Sequence, residues 1–269
     1  MPWWSFTKTA LAAAALKLVA DGKLALDEPI AGRPYTLRHL LQHRAGLPDY
    51  GALSAYREAV RRGDAPWDEG ELLARVGADR LLFAPGQGWL YSNIGYLLVR
   101  RMIEHQAGEK IGGALRHLLF DPLGLLSTHV AATVDDLART AWGNGRRYDP
   151  GWVYHGLVVG TPGDAARFLD RLLSGAVLPR ALLDAMTTSH PLGGALPGRP
   201  WQTTGYGLGL MIGCTEAGLA LGHSGAGPGS VAAVYHFPGR KAASTIAVFG
   251  KGEAEGPAEA EVVRLARLA

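Results

Sequence analysis

The spacing of apolar residues changes character along this chain, and that change divides it. From Ser5 to Ala20 an Ala/Leu-rich run predicts one long opening helix, which Asp21-Gly22-Lys23 stops before an extended connector over Leu24–Pro29. Leu37, Leu40 and Leu41 form an i, i+3, i+4 stripe after a capping Thr36, and Gly46 with Pro48 ends that helix. Short helices follow over Ser54–Arg62 and Glu69–Val76, and the turn Phe83–Gly88 leads into a helix over Ile94–Gln106 with Asn93 as its cap. Gly112–Phe120 continues the helical part, and Asp121-Pro122-Leu123-Gly124-Leu125 closes it. Trp142–Val159 has no periodicity, the mark of a long substrate-facing loop, before Thr161-Pro162 opens a helix through Leu173. From about Gly205 the pattern turns to short β-rich runs: Tyr206–Cys214, Leu219–His223, Ser230–Phe237 and Ala243–Phe249. Their separators are Glu216-Ala217-Gly218, a Gly/Pro loop at 225–229 and Pro238-Gly239-Arg240-Lys241. The runs predict an antiparallel meander, with Glu255–Leu268 as a helix covering one sheet face. The fold class is α+β: one domain over 1–269, mostly helical to about 204, then a sheet lobe, with a site in the cleft between them.

Composition narrows the function more than the fold. With 269 residues, 48% of them apolar, the chain has material for a substantial core. The single Cys214 excludes an intramolecular disulfide, and no Cys/His spacing indicates a zinc site or another cofactor. His39 and His43 stand four apart without a third ligand, which predicts surface or capping histidines. A net charge of +3 with only short basic pairs, Arg61-Arg62, Arg100-Arg101 and Arg146-Arg147, argues for a solvated surface and against nucleic acid. The first residues lack a signal-peptide pattern, and Leu11–Ala20 is too short to span a bilayer, so the expected location is cytoplasmic, without a membrane span.

Three clusters carry chemistry. Ser5 and Lys8 are three apart at the start of the opening helix, so at about 3.6 residues per turn they share a face and Nζ can reach Oγ. The free N–H groups there favour the negative charge of acyl transfer. Alone, this pair is better read as a capping serine followed by a solvated lysine. Tyr91-Ser92-Asn93 and His223-Ser224-Gly225 change the weighing by arriving in the order such a site needs.

These three motifs, with T-L-R-H-L-L-Q-H-R-A-G-L-P-D-Y at 36–50 and D-P-L-G-L at 121–125, resemble the serine β-lactamase and penicillin-binding-protein superfamily. The resemblance lies nearest its class C-like branch of family VIII esterases, D-aminopeptidases and D-alanyl-D-alanine carboxypeptidases, and it runs from Ser5 nearly to the end. It implies Ser5 as nucleophile, Lys8 or Tyr91 as base, Tyr91 as proton shuttle, and Asn93 orienting Lys8 or the acyl group. It implies an oxyanion hole from the N–H groups of Ser5 and Ala226, with His223, Ser224 and Gly225 as substrate-binding residues, and Ser92 and Ser224 as spacers or supporting donors, not catalysts. His223 stands where many β-lactamases carry Lys. Largely neutral at pH 7, it suits an esterase or a D-amino-acid peptidase better than an efficient β-lactamase.

Rival readings are weaker on the residues. Gly222–Ala226 is close to a G-x-S-x-G elbow, yet no helix follows Ser224 and no acid lies between it and His236. Gly205-Tyr206-Gly207-Leu208-Gly209 lacks the strand and helix of a dinucleotide loop. Family members carry a helix and two strands ahead of S-x-x-K, and four residues precede Ser5 here. That implies a late start or a truncation, and with it a non-catalytic binding scaffold as the alternative function. It also leaves the uncharged run A-S-T-I-A-V-F at 243–249 as a sheet edge, which predicts either a homodimer through that strand or an unstable monomer.

Overall fold

The computed structural model describes residues 1–141, 143, 148–239 and 243–268. Arg146-Arg147, the 142 and 144–147 part of the expected irregular segment, and Arg240-Lys241 of the expected turn lie outside the described residues.

The helices are α1 Thr7–Ala20, α2 Leu37–Leu41, α3 Ser54–Arg62, α4 Glu69–Val76, α5 Asn93–Ala107, α6 Ile111–Leu115 with a π turn over Arg116–Phe120, α7 Val134–Ala138, α8 Pro162–Leu173, α9 Arg180–Thr187 and α10 Gly256–Leu268. Strands β1 His129–Ala131 and β2 Leu157–Val159 form a small antiparallel pair. The main sheet runs β3 His190–Gly193, β4 Thr204–Tyr206, β5 Met211–Thr215, β6 Gly218–Gly227, β7 Ser230–Phe237 and β8 Ser244–Lys251, each antiparallel to the next. The expected α+β architecture and the meander are therefore present. Among the described residues no helix is long and apolar enough to cross a membrane.

Helix α1 is the spine of the helical lobe. Every residue from Thr7 to Leu16 is buried, which is why its sequence is apolar all round instead of striped. It packs on α5, and Thr9 Oγ1 donates to Gly209 O at 2.7 Å to hold the β4–β5 turn. Gly209 turns at φ +77°, and a Cβ there would lie 2.4 Å from Ala12 Cβ, so close approach of sheet and helix depends on that glycine.

The sheet is covered on both faces. Val231, Ala233, Tyr235 and Phe237 of β7 pack with Val262, Val263 and Ala266 of α10, while Val234, Ala247 and Phe249 face the helical core. Burial on both sides explains why β7 reads as a continuous apolar run. As expected, α10 covers one face, and β8 is the last strand of the sheet.

Several boundaries differ from the sequence reading. Tyr206–Cys214 is two strands, because Gly207–Leu210 turns on Gly209. The H-S-G motif does not end a strand before a 225–229 loop: β6 continues through Gly227, and only Pro228-Gly229 turns. Ser92, not Asn93, caps α5, its Oγ accepting from Gly95 N at 3.2 Å. His39 caps α2 with Thr36 as expected, but His43 is not a surface residue; it is buried at φ +58°.

Candidate active site

Ser5 sits in a 3₁₀ turn over Trp4–Phe6 that feeds directly into α1. Trp4 holds φ +47°, a left-handed conformation that costs a non-glycine residue roughly 1–3 kcal/mol. Its ring offsets that cost: Nε1 donates to Ser230 Oγ at 3.0 Å, and the indole lies against Gly227 and 5.7 Å from the Tyr148 ring. The strained turn leaves Ser5 half-buried at the mouth of two cavities. Clamps fix it from both sides, Trp3 N donating to Val158 O at 2.8 Å and Val158 N to Thr7 Oγ1 at 3.1 Å.

Strand β6 passes against this turn. A Cβ on Gly225 would lie 2.4 Å from Ser5 N, and one on Gly227 2.4 Å from the Trp4 ring. Gly227 pairs with Ser230 across a two-residue turn, so Ala226 falls in the non-hydrogen-bonded register and its N–H points away from β7.

Lys8 lies one turn on, fully buried, with Nζ 3.3 Å from Ser5 Oγ and 3.3 Å from His155 Nε2. Its ammonium faces the Tyr91 ring at 4.9 Å and the Tyr96 ring at 5.7 Å. Burial brings its pKa from 10.5 down to about 7, with Asp49 opposing the fall. Asp49 itself is held by Asn93 N at 2.7 Å and Gly51 N at 3.0 Å. A buried amine that is half neutral near pH 7 is a competent proton acceptor. The Tyr91 hydroxyl is buried without a hydrogen-bond partner among the described residues, and burial raises its pKa well above the usual phenol value, the Ser5 side chain only partly opposing. It remains a phenol at neutral pH.

His223 is buried on β6, its Nε2 2.9 Å from Tyr206 OH and its Nδ1 against Ser224 O. Burial, and then Lys8, lower its pKa to about 3, so the imidazole is neutral. Tyr206 OH also meets His43 Nε2 at 3.2 Å, and Ser92 N donates to His43 Nδ1 at 3.1 Å. His43 thus joins an aromatic layer beneath the site, 4.3 Å from the Tyr91 ring.

Ser5, Asn93, Ala226 and His155 line a cavity of about 280 Å³, with Tyr50, Tyr56 and Tyr148. Ser5, Tyr91, His223 and Ser224 line a second, of about 570 Å³, with Trp89, Arg199 and Glu255. The sequence-predicted residues are therefore gathered around Ser5, which both cavities share. One expected contact is replaced: Lys8 meets His155 where the Asn93 amide was a candidate, and Asn93 faces the smaller cavity.

His155 and Arg199 were not legible as site residues. His155 lies in the aperiodic loop, whose length was its one signal. Arg199 donates to Ser224 Oγ at 2.8 Å and to Glu259 Oε2 at 2.7 Å, and nothing in its sequence context marks it. Ser92 serves the fold, its Oγ donating to Pro48 O at 2.8 Å. No group of three His, Cys, Asp or Glu among the described residues is placed to hold a metal.

A serine on a strained turn at the head of a buried helix, a lysine amine beside it, and a six-stranded antiparallel sheet along one wall define an acyl-transfer type of site. The chain belongs to the Beta-lactamase family, whose model matches residues 1–268. It is 36% identical over 141 residues to esterase EstB of Burkholderia gladioli, 45% of this chain and 36% of that protein. It is 34% identical over 113 residues to penicillin-binding protein 4* of Bacillus subtilis (strain 168), 39% of this chain and 24% of that protein. The matched stretch thus spans about a third and a quarter of those two relatives. The D-amino acid amidase from Ochrobactrum anthropi SV3 is similar in fold, with a TM-score of 0.82 and 26% identity over 100% of this chain and 86% of that one.

Proposed function

We propose that this chain is a serine hydrolase that cleaves small esters or amides through an acyl-enzyme on Ser5. The observation that carries the reading is the Lys8 amine, buried, brought to about 7 and 3.3 Å from Ser5 Oγ. In this reading Lys8 takes the Ser5 hydroxyl proton as Oγ attacks the carbonyl carbon. The N–H groups of Ser5 and Ala226 hold the oxyanion. The leaving group receives its proton through the Tyr91 hydroxyl, and water, activated along the same path, releases the acid and restores Ser5. The raised Tyr91 phenol favours Lys8 over Tyr91 as the base. Asn93 faces the acyl group, and His223, Ser224 and Gly225 form the opposite wall.

The substrate class best supported is a neutral carboxylic ester, since His223 brings no charge to the wall it forms. The likeness to a D-amino acid amidase along the whole chain supports D-amino-acid amides as the second class. β-Lactams rank below both. A homodimer through the outer edge of β8 is a further part of the proposal, supported by the position of that strand at the end of the sheet.

Mass spectrometry after fluorophosphonate treatment, with a panel of p-nitrophenyl esters, D-amino-acid amides and nitrocefin, tests the reading. Label on Ser5 and turnover of short esters are the expected results. Label on Ser224, or full turnover by Ser5→Ala, overturns the nucleophile. No label and no turnover of any substrate moves the chain to a binding scaffold.

A further inference from the structure

Among the described residues, the Lys8 amine has one hydrogen-bonding neighbour besides Ser5, and its proposed role leaves that neighbour unused. His155 comes from the loop between Trp152 and β2, which turns on Gly156 at φ +91°. The same β2 is tied to Trp3 and Thr7 on either side of Ser5, so the imidazole and the serine are held by one clamp. His155 is 3% exposed. Its Nε2 is 3.3 Å from Lys8 Nζ, and its Nδ1 is buried without a partner among the described residues. An orphaned buried ring nitrogen is destabilising, because it has given up its bond to water for nothing. Packing alone would be better served here by an apolar side chain, so the imidazole needs a reason.

The amine supplies one. A neutral primary amine has one lone pair and two N–H groups, and rotation about Cε–Nζ exchanges them. Only the rotamer with its lone pair on the Ser5 hydroxyl can accept the proton; in the others the amine donates to Oγ and the serine is unproductive.

We propose that His155 is a positioning residue for Lys8: its Nε2 accepts one amine N–H and so turns the lone pair toward Ser5 Oγ. The ring is then the Nδ1–H tautomer. Burial, then the charges of Lys8 and Arg100, keep it uncharged, so it competes with Lys8 for no proton. The other groups around the amine are Asp49, which favours the ammonium, the rings of Tyr91 and Tyr96, and the neutral His43 and His223. None of these is within hydrogen-bond reach of Nζ in the way His155 is.

The inference rests on the Ser5–Lys8 reading, and the rate of fluorophosphonate labelling separates the two. Wild type, His155→Leu and His155→Gln are compared for labelling rate across about pH 5.5 to 9, for kcat and KM on an ester, and for Tm. In H155L labelling and kcat fall about 10–100-fold, KM stays within about twofold, and Tm holds or rises. Its labelling midpoint moves to lower pH, because the missing acceptor favoured the ammonium. In H155Q the Oε1 accepts the same N–H and recovers most of the rate. Should H155L fail to fold, His155→Met, which fills the space without a strong acceptor, takes its place. H155L at the wild-type rate and midpoint, or H155Q as slow as H155L, overturns the inference while leaving Ser5 labelled. Absence of wild-type label at Ser5 overturns the underlying reading instead.

Discussion

Replacing Lys8 by Met should remove activity and stabilise the protein below pH 7. The amine is fully buried, and its pKa falls from 10.5 to about 7 chiefly through desolvation. At about 1.4 kcal/mol per tenfold change, that fall is roughly 4–5 kcal/mol of stability withheld while the group is charged. Methionine matches the side chain's length and needs no desolvation. Against the gain stand the amine's hydrogen bonds to Ser5 and His155, worth about 1 kcal/mol each, and a second orphaned nitrogen that the variant leaves on His155. With that nitrogen counted at about 1 kcal/mol, a net gain of about 1–2 kcal/mol remains near pH 6.

The pH dependence is the sharper signature. Below about 7 both the folded and the unfolded amine hold their proton, and the wild-type deficit is complete. Between about 7 and 10.5 the folded amine has lost its proton while the unfolded one keeps it, so wild type gains on Lys8→Met by about 1.4 kcal/mol per pH unit. The advantage of the variant therefore shrinks steadily and disappears near pH 8. Urea unfolding of both proteins at about pH 6, 7, 8 and 9 measures it, and titrating groups remote from Lys8 cancel in the difference. A difference that is flat with pH, or a variant less stable at pH 6, would refute a desolvated amine and with it the base assigned to Ser5.

Two further outcomes test the surroundings. Gly225→Ala should cost about 1–3 kcal/mol and slow Ser5 labelling by about 100-fold or more, because the new Cβ would sit 2.4 Å from Ser5 N. Gly239→Ala, which meets nothing within 4 Å, is the control, and equal labelling in both variants would show that β6 does not hold the nucleophile. Light scattering after size exclusion should give a dimer that a charge such as Ile246→Lys weakens; a monomer with slowly exchanging amides over 244–251 would mean that the β8 edge is already covered.

What the sequence made legible follows from how local each signal was. The S-x-x-K spacing survives because a helix fixes it, and Y-S-N and H-S-G because each is a short segment whose ends are set by a cap or a strand. Short strands were missed: β1, β2 and β3 have three or four residues each, too few for a period-2 pattern. Helix α9, entered from Pro179 without a side-chain cap, was missed for want of a start signal. His43 was misread because its four-residue spacing from His39 suggested one helix face, whereas α2 ends at Leu41 and the chain turns His43 inward. His155 and Arg199 were out of reach, since their partners stand 147 and 25 to 60 residues away.

Arg199 also recasts the substrate argument drawn from His223. Sequence suggested a wall without a fixed cation, yet the guanidinium lines the larger cavity beside Ser224. Its charge is already committed: Glu259, 1% exposed, takes two of its N–H groups and also accepts from Trp201 Nε1 at 3.2 Å and Tyr235 OH at 2.9 Å. Freeing the arginine for a substrate carboxylate would leave that carboxylate buried and less well paired, a cost of several kcal/mol. Glu255 on the same wall adds a negative charge. The substrate preference proposed from a neutral histidine thus rests on a different footing, with a cation present but engaged. It makes neutral esters the expected substrates of this wall, and nitrocefin as the best substrate in the panel would mean that Arg199 can turn from Glu259 to the ligand.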